Sequence, residues 1–169
     1  RASIVWSSPL SDHNKVTATN TFVNSPIEYF FWSERFRIED LKRMDICVRQ
    51  ALVENGAKHY QQMNDVLYLT KSMGGRGLKS IERTYKETKV KTAMNLLGTN
   101  DQRMKLVTKF NRNCLNTKHA SIFKDAMKYA EELGMILNVD SSSYSISFEK
   151  DNENVVTTSL PVVKREITR

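Results

Sequence analysis

The residues of this sequence best placed to do chemistry are cations, and the chemistry they suit is the holding of phosphate. Residues 71–118 carry twelve Lys and Arg against three acids, Glu82, Glu87 and Asp101, a net charge of +9. Residues 1–70 are neutral and the whole 169-residue chain is +7, so the excess sits in one block. A solvated surface normally mixes signs, because like charges one helical turn apart repel. A block of one sign calls for a polyanion. Within it, Gly74-Gly75-Arg76-Gly77 breaks the chain ahead of an amphipathic run over residues 78–97. Leu78, Ile81, Tyr85, Thr88, Thr92 and Leu96 share one face of that run, and Lys79, Arg83 and Lys86 lie on a neighbouring arc. That spacing suits a row of contacts along one phosphate backbone. Gly75 and Gly77, on either side of Arg76, would let backbone approach a ligand closely. A helix starting near Leu78 would also offer its first amides to a phosphate. A tight turn before a helix is an equally good account of the glycines.

Other chemistry is poorly supplied. His13, His59 and His119 stand far apart and lack metal-ligand spacing, and GGRG lacks the Gly-Lys-Ser/Thr of a nucleotide-binding loop. No Gly-x-Ser-x-Gly elbow occurs. Glu39-Asp40 reads as a first-turn acidic pair, favoured by the helix dipole. Two-metal catalysis needs clustered carboxylates, and none is legible, so no catalytic residue and no cofactor is expected in this segment. Cys47 and Cys114 read as buried or half-buried free thiols of a reducing compartment. With no long apolar run and no signal peptide, the expectation is an intracellular protein, nuclear or cytoplasmic, with no membrane partner. The chain opens on Arg1, not Met, and reads as a piece of a longer one.

Elements must position these residues. Ser11 or Asp12 can cap a helix bearing Val16, Thr19 and Val23, interrupted at Pro26. Ile27, Tyr29, Phe30, Phe31 and Trp32 form an aromatic knot, read as core. Residues 38–54 predict a helix with Leu41, Met44, Val48 and Leu52 on one stripe, ended by Asn55-Gly56. Residues 66–69 fit a short strand or a buried turn. Gly98 ends the run begun at Leu78. Thr99 or Asn100 then caps a fourth helix, with Met104, Val107 and Phe110 inward. Asn116 or Thr117 caps a fifth, whose stripe of Ile122, Phe123, Ala126, Met127, Ala130 and Leu133 stops at Gly134. Ser141-Ser142-Ser143 reads as a linker. Tyr144, Ile146 and Phe148 alternate with serines, Asp151-Asn152-Glu153-Asn154 suggests a turn, and residues 155–160 are β-rich, which together predict a hairpin before a loose end. The expected fold is mainly α, a bundle of about five helices with a small C-terminal β-hairpin. It divides into residues 1–70, a basic segment 71–134 and an appendage 135–169.

Several of these residues also carry a likeness. Asn14-Lys15-Val16-Thr17-Ala18-Thr19-Asn20-Thr21-Phe22, then Tyr29, then residues 41–45 and Arg49, form an ordered series. Leu67-Tyr68-Leu69 follows and, four residues on, Gly74-Gly75-Arg76-Gly77-Leu78 with Ile81-Glu82 and Tyr85-Lys86. The series resembles the end of the reverse transcriptase domain of non-LTR (LINE-type) retrotransposons, of the kind that inserts into ribosomal DNA. The resemblance spans about residues 4–97, more weakly to Gly134. Thr70 and Phe36 stand where that family commonly has Pro and Trp, and Asn24 and Ser25 fall in a normally apolar stretch. The resemblance implies a thumb-like bundle that follows the catalytic palm and grips a template–primer duplex or RNA/DNA hybrid. It implies as partners the palm and fingers of the same polyprotein. The paired catalytic aspartates, and the magnesium they hold, would belong to the palm upstream. A helical protein-interaction module with a basic face, or an inert fragment of a decayed element, are the alternatives.

Overall fold

A computed structural model describes residues 1–139, 143–150 and 153–167. The chain is mainly helical with a small antiparallel sheet towards its C-terminus. It forms two compact units, Arg1–Tyr85 and Lys86–Arg169, where the sequence suggested three segments. No described helix is long and apolar enough to cross a membrane.

The first unit runs through α1 (Ala2–Ser7), α2 (Asp12–Ala18), a π-helical turn (Thr19–Asn24), α3 (Ser25–Glu28), a 3-10 turn (Tyr29–Trp32), α4 (Ile38–Glu54), α5 (Asp65–Tyr68) and the start of α6 (Ile81–Gly98). Ser11 caps α2 as expected, its hydroxyl accepting the Asn14 amide. Pro26 does not stop the helical path. It lies in the first turn of α3, directly after the π-helical turn, and Asn24 and Ser25 on its N-terminal side keep right-handed helical backbone angles. The stripe on α4 holds, with Leu41, Val48 and Leu52 buried and Asn55 closing the helix. Residues 66–69 form the end of α5 and the turn after it, with Leu67 fully buried. The aromatic knot is corrected. Phe31 alone of its rings is buried, while Tyr29, Phe30 and Trp32 are 78%, 51% and 50% exposed. A 3-10 turn fans consecutive side chains around its axis, so only one of them faces inward. Phe31 meets Tyr85 and Phe36 edge to face, at centroid distances of 5.1 and 5.5 Å.

The second unit holds the rest of α6, then α7 (Gln102–Asn113), α8 (Ile122–Glu132), β1 (Met135–Val139), β2 (Tyr144–Lys150), β3 (Glu153–Thr157) and α9 (Leu160–Ile167). The strands lie in the order β1-β2-β3, all antiparallel, with Leu137 opposite Ile146 and Phe148 between Met135 and Val155. Met135, Leu137, Ile146 and Phe148 are buried, and Phe123, Ala126, Tyr129 and Ala130 are the buried residues of α8, which packs against β1. The expected hairpin is present as β2 and β3, with β1 added as a third strand. The β-rich stretch ends sooner than expected, at Thr157. From Leu160 to Ile167 the chain is helical, with Pro161 in the first turn and Val163 fully buried, and residues 168–169 of the expected loose end lie outside the described residues. The linker residues Ser141-Ser142 and the turn residues Asp151-Asn152 lie outside the described residues.

Three boundaries in the basic block move. α6 starts at Ile81, not Leu78. Asp101, rather than Thr99 or Asn100, caps α7, its carboxylate accepting the Arg103 amide at 2.7 Å. Ser121, rather than Asn116 or Thr117, caps α8. The expected inward face of α7 is also corrected. Met104, Val107 and Phe110 are exposed, and the buried residues are Thr108 and Asn111. The reason is that α7 is fastened by hydrogen bonds rather than by an apolar stripe. The Thr108 hydroxyl donates to the Leu96 carbonyl at 2.9 Å, and the Asn111 side-chain oxygen accepts the Ile122 amide at 2.9 Å.

Candidate nucleic-acid interface

The glycine-rich turn has the amides a phosphate cradle needs, but their hydrogen bonds are already made inside the first unit. The Gly75 amide donates to Thr70, Arg76 to Val66, Gly77 to Leu69 and Leu78 to Leu67, each to a carbonyl. The Lys79 amide donates to the Asn20 side-chain oxygen at 2.9 Å, while the Asn20 amide group donates to the Gly77 carbonyl at 2.9 Å. Asn20 thus clasps the turn in the manner of a strand partner. Asn24 adds a bond to the Lys79 carbonyl at 3.1 Å. Gly75 is required by space, since a Cβ there would lie 2.1 Å from the Leu69 carbonyl oxygen. Gly77 is required by conformation, at φ +75°.

The N-terminus of α6 is occupied in the same way. Asp45, buried on α4, accepts the Ile81 amide at 2.9 Å, the Glu82 amide at 3.2 Å and the Ser80 hydroxyl at 2.7 Å. A carboxylate there takes the place an anion would take, because it meets both the unsatisfied amides and the positive end of the helix dipole. An external phosphate would meet a negative charge instead of a vacant cradle. Nearby, Arg49 donates to the Tyr68 hydroxyl at 2.8 Å. Burial pushes the Tyr68 hydroxyl above the usual tyrosine range; the Arg49 bond opposes this and the Asp45 charge adds to it.

The cations singled out in the sequence meet different fates. Arg76 is a structural tie, donating to the Ala57 carbonyl at 2.6 Å and pairing with Asp12. Lys86, 15% exposed at its side chain, pairs with Glu132 at 2.7 Å. Lys79 and Arg83 are exposed. Because α6 begins at Ile81, Lys79 precedes the helix, and the three do not form one helical arc.

The second unit contains a feature that the sequence reading counted but did not single out. An open concavity of 1120 Å³ lies where the end of α6 meets α7, and Lys105, Lys109 and Arg112 line it. These residues sit at i, i+4 and i+7, within an arc of about 60° on one helix. Lys105 and Lys109 are exposed and Arg112 is half-buried. None of the described residues lining the concavity is acidic. The signal was the same spacing already noticed at Lys79, one helix later. The polar anchoring of α7 had no counterpart in a search for apolar faces. Among the described residues no His, Cys, Asp and Glu side chains gather into a group able to hold a metal ion. Compared with models of protein families, with curated proteins and with solved structures, the chain matches none.

Proposed function

We propose that this chain is a nucleic-acid-gripping, non-catalytic part of an RNA-directed DNA polymerase of the non-LTR retrotransposon type. It holds a template–primer duplex or hybrid through phosphate contacts that ignore sequence. The observation that carries the reading is the one-sign cation block together with the stiff mount of two of its members. Lys79 and Arg83 are exposed on a turn and helix start that Asn20, Asn24 and Asp45 hold by hydrogen bonds. A grip on a sliding duplex needs such fixed charges, because phosphate contacts set position without reading bases. The family assignment rests on the residue resemblance alone.

The test is the salt dependence of duplex binding by the whole chain. Affinity should be on the order of the non-specific range, ~10⁻⁴–10⁻⁶ M, and equal across sequences. Lys79→Ala and Arg83→Ala should each flatten the plot of log K against log salt by about 0.9. Lys86→Ala should change it little, since the Lys86 side chain is mostly buried, and Lys42→Ala, an exposed change in the neutral region, should not change it. A Lys79/Arg83 double variant with native affinity and slope would overturn the proposal. A second reading, a helical module that docks on another protein, is favoured by the exposed Tyr29, Phe30 and Trp32. Saturable binding to one protein with no affinity for nucleic acid would select it.

A further inference from the structure

We infer that the concavity of the second unit is a binding site for single-stranded nucleic acid. This inference rests on the nucleic-acid reading above and gives it a second ligand class and a second set of residues. From Lys105 to Arg112, α7 rises about 10 Å. The exposed Lys105 and Lys109 on that stretch can therefore meet successive phosphates of one strand, with Arg112 half-buried beside them. Charge alone would suit a duplex equally well, so the choice between them rests on what else lines the space.

Leu96, Leu97, Leu115 and Val139 line the same concavity, and all four are partly exposed. A duplex keeps the faces of its bases stacked inside and presents phosphates and groove edges to a protein. An unpaired strand turns apolar base faces outward, and proteins that hold it combine a cationic groove with apolar or aromatic surface. Cations beside exposed leucines fit the second ligand. Asn113 and Asn116 also line the space, and each side chain offers both donor and acceptor to a base edge. Amides of this kind can serve any base, and no aromatic ring is among the described lining residues. The site therefore suits modest affinity with little sequence preference.

The mount is held by hydrogen bonds, as in the first unit. Thr108, itself at the concavity, ties α7 to the Leu96 carbonyl. One turn on, the Ser121 hydroxyl donates to the Asn111 carbonyl at 3.0 Å and the Asn111 side chain caps α8. The cations are thus carried on a helix pinned at two points, and no large rearrangement is needed to present them.

The experiment is fluorescence anisotropy of the whole chain with two probes, a labelled oligothymidine and a labelled hairpin duplex. The Lys105→Ala/Lys109→Ala variant changes only exposed side chains, and circular dichroism checks its fold. It should bind the single strand about tenfold more weakly at moderate salt, with the salt slope flattened by about 1.4, from ~0.7 per contact. Its affinity for the duplex should stay native, and Lys79→Ala/Arg83→Ala should give the converse. Inorganic polyphosphate should displace the oligothymidine poorly at equal phosphate concentration, since it has no bases to place on the leucines. Equal losses for both probes, an unchanged single-strand affinity, or full displacement by polyphosphate would each overturn the inference while leaving duplex gripping intact. Failure of both probes to bind would overturn the proposed function along with it.

Discussion

The amides of Gly75, Arg76, Gly77, Leu78, Lys79, Ile81 and Glu82 are turned inward, to Asn20, Asp45 and neighbouring carbonyls, and Asn20 and Asn24 take the carbonyls of Gly77 and Lys79. Along α7, Lys105, Lys109 and Arg112 are turned towards an open concavity with no acid among its described lining residues. Both regions belong to one basic block, but only the first stood out in the sequence as suited to phosphate. The contrast shows that glycines, amides and a helix start make an anion site only where the fold leaves them without partners. In the first unit a buried carboxylate has filled that role. What remains for a ligand is side-chain charge on a rigid frame.

The contrast predicts opposite sensitivities in the two regions. The largest effect should come from Gly75→Ala, whose new Cβ meets the Leu69 backbone and cannot be relieved by a side-chain rotation. A loss of about 3 kcal/mol in urea unfolding is expected, and a near-native midpoint would mean the turn is looser than described. Asp45→Ala comes next. It strands the amides of Ile81 and Glu82 and the Ser80 hydroxyl, and should cost about 2–3 kcal/mol, with Asp45→Asn recovering part of it. Full stability of the alanine variant would return the helix start to the list of ligand sites.

Lys105→Ala and Lys109→Ala should behave in the reverse sense. Each should leave stability within about 0.5 kcal/mol, as surface changes do. A large loss of stability from either would mean that the cations of α7 serve folding as Arg76 does. The smallest effect concerns pH. Since burial raises the Tyr68 hydroxyl above its unfolded value of 10.0, the fold binds that proton more tightly than the unfolded chain does. The resulting stability is fully present below pH 10.0 and is lost as pH rises from there through the folded value. Tyr68→Phe should flatten the alkaline limb of a plot of urea midpoint against pH. An identical limb in both proteins would remove Tyr68 from the account.

The sequence carried the helical class, the bounds of α4 and the C-terminal hairpin of β2 and β3, because those depend on local periodicity and on Asn55-Gly56 as a stop, but not the added strand β1. It misplaced α7's inward face because Thr108 and Asn111 hold by hydrogen bonds, which hydrophobic period does not register. It read Tyr29, Phe30 and Trp32 as core because composition alone does not say that a 3-10 turn will direct them outward. Of the residues quoted for the resemblance, Asn20 and Asp45 hold the glycine-rich turn and the start of α6, Arg49 bonds Tyr68, and Tyr85 meets Phe31. Their spacing in the sequence was visible. That a carboxylate from α4 would reach the first amides of α6 was not, because it depends on how two helices distant in sequence pack.

Amide hydrogen exchange, resolved by residue, tests the central claim most directly. In the unliganded chain the amides of Gly75, Arg76, Gly77, Leu78, Lys79, Ile81 and Glu82 should exchange slowly, each bonded within the first unit. Addition of an oligonucleotide should leave that protection unchanged. Fast exchange at these amides in the unliganded chain, slowed when the oligonucleotide is added, would contradict the account and make the glycine-rich turn the phosphate site.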